Sequence, residues 1–247
     1  MVDAASNPEK KEMVSEPLPP KPKRARAPKQ PAATMPESDE SPKESHGSPN
    51  MLFEKYPYDV EILDLSLRNY INLKPLSFPS TYRRGSQKSF SKANLNIVER
   101  LSNSLMRGGT GEKVGGHVIR TKGRLQGKKL KTLKIIENAF ASISKQTGKN
   151  PLQVLVRALE NSAPIEDTTR VVYGGIKSNV AVDISASRRL DIALRNVALA
   201  SIISAFSSKR NISDSLASEI MLAANNDMNS YAIKRKNEIE RMARSAK

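Results

Sequence analysis

A few residues in this chain of 247 have types and spacings that could do chemistry. Gly123-Arg-Leu-Gln-Gly127-Lys128-Lys129 sets two glycines ahead of a lysine pair, the arrangement by which a phosphate loop wraps a nucleotide in backbone N–H groups. The glycines stand one residue too close for that loop. No Ser or Thr follows the lysine to hold a magnesium ion, and no apolar strand leads in. Gly109-Thr110-Gly111 opens like a dinucleotide fingerprint, but Val114 occupies the place of the third glycine. Glu166 and Asp167 are adjacent carboxylates, yet a general acid and base need a cleft that drives their pKa values apart, and the flanking Pro164 puts them in a turn. His117 has no second ligand at metal-binding spacing, and His46 lies in a proline-rich stretch. With no Cys and two His in all, thiol nucleophiles, disulfides, zinc sites and His-based triads find almost no material. The expectation is a protein that is not an enzyme, with no catalytic residue, no cofactor and no metal.

What remains is charge. Lys and Arg number 41 against 25 Asp and Glu, a net charge of +16. A soluble chain this basic points to a polyanion, either nucleic acid or an acidic membrane surface. The excess is concentrated: residues 83–134 hold 14 basic and 2 acidic side chains, three quarters of the net charge. Such a density repels itself unless phosphates neutralise it. Seven glycines, from Gly108 to Gly127, lie in the same stretch and let a backbone come close to phosphates. The basic set assigned to RNA from this reading includes Lys92, Arg107, Lys113, Arg120, Lys122 and Arg124, with Lys128, Lys129 and Lys131 at the positive end of a helix dipole. Lys234, Arg235 and Lys236 form a further run near the C-terminus, as consistent with a solvated face as with a contact.

The elements that must position these side chains are mostly helical. Leu95, Val98, Leu101 and Leu105 predict a first helix over 94–107, stopped by Gly108-Gly109. Leu130, Leu133, Ile136, Phe140 and Ile143 predict a second over 128–146, with Gly148 as its C-terminal cap. Asn150-Pro151 opens a third, which Pro164 closes. The period then changes to two: Val171 and Tyr173, the Gly174-Gly175 pair, and Val180, Val182 and Ile184 predict a β-hairpin at about 168–184. Residues 187–207 are apolar almost all round and predict a buried central helix. Ser213 reads as the cap of a fifth helix carrying Leu216, Ile220 and Met221. A sixth spans 230–246, with Ile233, Ile239 and Met242 on one side and Glu240 four residues before Arg244.

The fold class expected is therefore all-α: a six-helix domain with one projecting β-hairpin. Residues 1–50 hold 10 of the chain's 15 prolines with 8 basic and 8 acidic groups, and are expected to be a disordered tail. Its short basic run, Lys21, Lys23, Arg24, Arg26 and Lys29, is either an RNA-threading segment or a solvated tail. Residues 51–92 read as an extended N-terminal arm and 93–247 as the helical RNA-binding domain. Asp3, Glu9, Glu12 and Glu16 exclude an apolar leader region. The longest apolar stretch, residues 197–206, is half the length a membrane helix needs at roughly 20 residues, and a cytoplasmic protein is expected.

The run Lys149-Asn-Pro-Leu-Gln-Val-Leu-Val-Arg-Ala-Leu-Glu-Asn-Ser-Ala-Pro164, then Glu166-Asp-Thr-Thr, Val172-Tyr-Gly-Gly-Ile176, Val180-Ala-Val-Asp-Ile-Ser185 and Arg188-Arg189, resembles the archaeal and eukaryotic branch of the small-subunit ribosomal protein seven family. The resemblance runs from about Tyr56 to Lys247 and looks archaeal. It implies a structural constituent of the small ribosomal subunit that binds the 3′ major domain of the subunit RNA and nucleates head assembly. It further implies a hairpin, with Tyr173, Gly174, Gly175 and Ile176 at its tip, beside the exit-site tRNA and the messenger. Proteins of the protein eleven and protein nine families would be neighbours. Carried over residue by residue, the RNA-contacting set is Arg83, Arg84 and Lys88 in the arm, Lys128, Lys129 and Lys131, Arg170 and Lys177 on the hairpin, and Arg188, Arg189 and Arg195 on the long helix. Ser178-Asn179 depart from the aromatic and proline common in relatives, and Asn196 stands where many have Trp. The alternative, from composition alone, is a nucleic-acid chaperone or architectural protein outside the ribosome.

Overall fold

The computed structural model describes residues 51–81, 91–108, 113–114, 117–119, 124–206 and 208–246. The predicted tail, residues 1–50, lies outside the described residues. So do 82–90 of the arm and much of the basic glycine loop.

Among the described residues there are seven α-helices, one more than the sequence predicts. The extra one, α1 (Leu65–Arg68), is a single turn: Asp64 caps it by accepting from the Ser66 amide, and Leu67 is its only buried residue. Four residues are too few to show a helical period, as is the 3-10 turn Ser91–Asn94. The six predicted helices follow as α2 (Ile97–Met106), α3 (Lys129–Thr147), α4 (Pro151–Ser162), α5 (Ala186–Ala205), α6 (Ile212–Ala224) and α7 (Tyr231–Ser245).

Local chemistry sets several ends. Gly148 ends α3 with φ 65°, a left-handed conformation a side chain would strain, and returns its amide to the Ser144 carbonyl. Asn150 caps α4 by accepting from the Leu152 amide, with Pro151 in the first turn. Ser230 caps α7 by accepting from Ile233. The cap of α6 is Asn211 rather than the predicted Ser213, which sits inside the helix because the turn starts two residues earlier.

The core gathers Leu101 and Leu105 of α2, Ile136 and Phe140 of α3, Leu152, Leu155 and Leu159 of α4, Leu190, Leu194 and Val197 of α5, and Leu216 and Ile220 of α6. α5 packs against α1, α2, α4, α6 and α7, and α6 against α3, α4, α5 and α7. Two predicted apolar positions face water instead: Leu130 is 65% exposed and Met242 51% exposed. Each lies toward the end of its helix, where the periodic face has no neighbour to cover it.

The arm residues enter the same core. Leu52, Phe53, Leu67 and Ile71 are buried there, and the rings of Phe53 and Tyr56 meet Phe140 edge-on at 6.4 and 6.2 Å between centroids. β1 (Met51–Leu52) pairs with β2 (Tyr56–Pro57). Beyond it the chain runs extended along α4 with no strand beside it. Side chains of α4 and its cap satisfy its backbone: Asn150 donates to the Pro57 carbonyl (2.9 Å), Gln153 both accepts from Glu61 N (2.9 Å) and donates to Glu61 O (3.0 Å), and Glu160 accepts from Leu63 N (2.7 Å) and Asp64 N (3.1 Å).

β3 (Lys113–Val114) and β4 (His117–Val118) make a short pair in the glycine-rich loop. β5 (Glu166–Tyr173) and β6 (Ile176–Asp183) form the predicted hairpin in full antiparallel register from Glu166 opposite Asp183 to Tyr173 opposite Ile176. Gly174 and Gly175 have φ of 58° and 82°, the two positive values that a two-residue primed turn requires. Eight residues of strand reach about 25 Å, and every residue from 169 to 180 is exposed. The alternation that identified the strands therefore covers no face of this domain.

Asn196 of α5 is 9% exposed and its Nδ2 has no partner among the described residues. A buried amide of this kind costs roughly 1–3 kcal/mol, and Asn is a poorer helix former than Ala by up to about 0.7 kcal/mol. Asn196→Ala loses some packing in return. The net expectation is a gain of about 1 kcal/mol and a rise in melting temperature of about 2–4 °C, read by thermal unfolding followed by circular dichroism.

Candidate nucleic-acid interface

The basic residues fall into two groups once the helices are assembled. Lys92 of the 3-10 turn, Arg107 at the end of α2, and Arg188 and Arg195 of α5 line one cleft with Asp191. They come from 104 residues of chain and about two turns of α5. All four cations are exposed. Arg107 and Arg195 have no side-chain ion pair among the described residues. Lys92 lies 3.6 Å from Asp191, and Arg188 donates to Asp167 at 3.3 Å.

A second basic group lies at the start of α3, which packs on α2. Lys128, Lys129 and Lys131 open α3, whose N-terminus has no acidic residue in its first turn and no side-chain cap. Its amide groups and macrodipole thus favour an anion. Gln126 donates to the Gly108 carbonyl (3.0 Å) at the C-terminal end of α2, and Ser102 and Thr132 share a hydrogen bond of 2.8 Å. These contacts hold α3 alongside α2. Lys128 and Lys131 are exposed, as is Arg124.

Several residues predicted to face RNA are engaged within the protein. Lys129 is paired with Glu99, a carboxylate 2% exposed that also accepts from the amide (3.2 Å) and hydroxyl (3.0 Å) of Thr81. Arg189 spans three segments, donating to the Pro164 carbonyl (3.1 Å), the Ser66 hydroxyl and Asp64 (3.0 Å). Lys236 donates to the Asn161 carbonyl at 2.8 Å and so ties α7 to α4. Arg235 pairs with Glu238 at 2.9 Å and lies 5.8 Å from the Tyr231 ring centroid. The Glu238 hydrogen bond raises its pKa further above the ordinary guanidinium value, against the effect of burial. Lys234 is exposed.

On the hairpin, Arg170 lies opposite Asn179 and Lys177 opposite Val172, all exposed, with Tyr173 87% and Ile176 75% exposed at the tip. Glu166 and Asp167 are consecutive on β5 rather than facing each other across a cleft; Asp167 accepts from its neighbour Thr168 (2.8 Å) and from Arg188. Glu240 accepts from the Ile165 amide (3.3 Å), which fastens the hairpin's base to α7. Of the other predicted contacts, Arg83, Arg84, Lys88, Arg120 and Lys122 lie outside the described residues. Lys113 is placed in β3 by its backbone alone.

Sequence reasoning missed Arg100. It is 6% exposed, donates to the Tyr70 carbonyl (3.1 Å) and pairs with Asp191 at 2.9 Å. Nothing in its neighbourhood of sequence separates it from the other arginines of the basic stretch. A second cleft, between α4 and α6, is lined by Lys149, Gln153, Arg157 and Asn161 and was not anticipated either. No group of three His, Cys, Asp or Glu among the described residues could hold a metal ion, and no helix there is long and apolar enough to cross a membrane.

The domain is mostly helical and carries two basic groups, one at the α2–α5 cleft and one at the start of α3. The family model described as ribosomal protein S7p/S5e matches residues 67–247. A relative described as small ribosomal subunit protein uS7, from Cenarchaeum symbiosum (strain A), is 42% identical over 198 residues, which cover 80% of this chain and 96% of that protein. The chain belongs to the ribosomal protein S7p/S5e family, in its archaeal and eukaryotic form.

Asp64 offers a test of the Arg189 junction. Burial pushes its carboxyl upward, but the hydroxyl and amide of Ser66 and the Arg189 guanidinium outweigh that and hold it below its ordinary value of 3.8. A carboxyl depressed in the folded state contributes stability that is present above the unfolded value and lost as pH falls through the folded one. The stability advantage of the wild type over Asp64→Asn is expected to be below about 1 kcal/mol after solvent screening. It should be full at pH 6 and shrink as pH falls below about 4, measured by urea unfolding at each pH.

Proposed function

We propose that the protein is a structural constituent of the small ribosomal subunit that binds the 3′ major domain of the subunit RNA and nucleates assembly of the head. Family membership supports the ribosomal role. The observation that carries RNA binding by this chain is the gathering of Lys92, Arg107, Arg188 and Arg195 at the α2–α5 cleft beside the uncapped, lysine-rich start of α3. Phosphates supply the counter-charge that Arg107 and Arg195 lack among the described residues, and add to the single carboxylates beside Lys92 and Arg188. The RNA-facing set is then the exposed cations Lys92, Arg107, Arg124, Lys128, Lys131, Arg170, Lys177, Arg188, Arg195 and Lys234. Lys129, Arg189 and Lys236 hold the surface in shape. Arg83, Arg84, Lys88, Lys113, Arg120 and Lys122 extend the same basic stretch.

The hairpin serves a different purpose. An isolated two-stranded ribbon is marginally stable in water, and this one leaves Val171, Val172, Tyr173 and Ile176 exposed. A neighbouring surface is its natural complement. We assign that surface to the exit-site tRNA and the messenger, with proteins of the eleven and nine families nearby, in cytoplasmic ribosomes.

Two measurements test these assignments. Lys128→Ala combined with Lys131→Ala, leaving the structural Lys129 in place, should weaken binding to the 3′ major domain RNA. It should also flatten the log–log salt dependence by about 0.7 to 0.9 for each phosphate no longer neutralised. An unchanged slope would place the RNA elsewhere. Replacing residues 172–177 by Asn-Gly, which keeps Val171 opposite Ser178, should spare the helical core and lower RNA affinity only modestly, since the segment carries one basic side chain, Lys177. Subunits assembled with the shortened protein should then lose exit-site tRNA more readily; normal retention would remove the hairpin from that role.

A further inference from the structure

The α2–α5 cleft is more than a cationic patch. Its volume is about 350 Å³, and its lining divides by chemistry: Lys92, Arg107, Arg188 and Arg195 are exposed cations, whereas Ile192, Leu199 and Ile202 are apolar. Leu199 and Ile202 are only 5% and 6% exposed. One carboxylate, Asp191, also faces the cleft, with 42% of its side chain open to solvent. A surface that only tracks a phosphate backbone needs the cations and has no use for the apolar floor. A crevice for an apolar peptide side chain would gain nothing from the four cations, each of which would have to keep its hydration.

An unpaired nucleotide matches all three features. Its base has an apolar π face for Ile192 and Leu199, its phosphate takes a place among the guanidinium groups, and Arg side chains can also stack on the base. The volume lies at the small end of the range for compact ligands, which suits one nucleotide and excludes a duplex. Asp191 then selects among bases. Arg100 anchors one of its oxygens at 2.9 Å and Lys92 approaches the other at 3.6 Å, so the carboxylate is held in place with lone pairs to spare. A fixed carboxylate accepts two parallel N–H groups from the Watson–Crick edge of guanine. Uracil offers one N–H flanked by two carbonyl oxygens, which the carboxylate repels.

We propose that the α2–α5 cleft captures a single unstacked RNA nucleotide, with guanine preferred, the base lying on Ile192 and Leu199, its edge on Asp191 and its phosphate among Arg107, Arg188 and Arg195. This rests on the RNA-binding reading above and adds a base-specific site to it. The test uses the full chain and three five-nucleotide single-stranded RNAs at low salt: UUGUU, UUUUU, and UU-abasic-UU. Fluorescence anisotropy should show UUGUU binding about tenfold or more tighter than the abasic strand, as the stacking of one base provides, and UUUUU falling between them. In Ile192→Asp the ratio of UUGUU to abasic affinity should collapse to about one whatever the absolute affinities, while Arg157→Ala, on α4 away from the cleft, keeps it. Melting curves of both variants confirm that they are folded.

Equal affinity of the wild type for UUGUU and the abasic strand would overturn the nucleotide site while leaving phosphate binding intact. Equal affinity for UUGUU and UUUUU would overturn the guanine preference. Persistence of the full ratio in folded Ile192→Asp would put the base outside this cleft. Failure of all three RNAs to bind would count against the RNA surface itself.

Discussion

The pairing of Arg100 with Asp191 is the contact on which the basic surface depends. A guanidinium 6% exposed would be costly to leave without a partner. Asp191 supplies the charge from α5, and the Tyr70 carbonyl supplies an acceptor from the segment preceding α2. One side chain thereby fixes the distance between α2 and α5 and the position of the arm residues beside them. The cleft that gathers Lys92, Arg107, Arg188 and Arg195 is the solvent side of this seam.

Three acidic residues recur in the same role. Glu99 neutralises Lys129 at the α2–α3 contact, Asp191 neutralises Arg100 at the α2–α5 contact, and Asp64 takes Arg189 where the arm, α5 and the base of the hairpin meet. Each withdraws one cation from the surface and uses it to lock two segments together. The cations that line the α2–α5 cleft stay exposed, Lys92 and Arg188 each beside one carboxylate and Arg107 and Arg195 with no ion pair among the described residues. A chain with a net charge of +16 gains from this division, because a buried seam needs its counter-charge within the fold.

The hairpin and the arm solve opposite problems. The arm segment at 57–64 has no strand beside it, and Asn150, Gln153 and Glu160 satisfy its backbone along one face of α4. It is thereby built into the domain. The hairpin satisfies its backbone internally through eight paired positions and leaves its side chains exposed. It is held mainly at its root, by Glu240 to Ile165 and Arg189 to Pro164. Rigid helices at the base and an uncovered ribbon at the end suit an element that completes its packing on a neighbour.

Local and periodic features were legible before any coordinates. The helical spacing of Leu95 to Leu105, the Asn150-Pro151 start, the Gly148 stop and the Gly174-Gly175 turn depend on backbone conformations set within a few residues. The charge concentration in 83–134 is a matter of counting, and the family resemblance followed from runs such as 149–164. Which cations are free, by contrast, emerges only when the helices assemble. Arg189 and Asp64 lie 125 residues apart, Arg100 and Asp191 are 91 apart, and nothing in either neighbourhood marks those arginines as structural. The same holds for Leu130 and Met242, apolar and correctly spaced yet uncovered, and for Asn196, polar and yet buried. Burial and pairing belong to where distant segments meet, and a one-dimensional pattern carries the propensity of each segment without the identity of its neighbour.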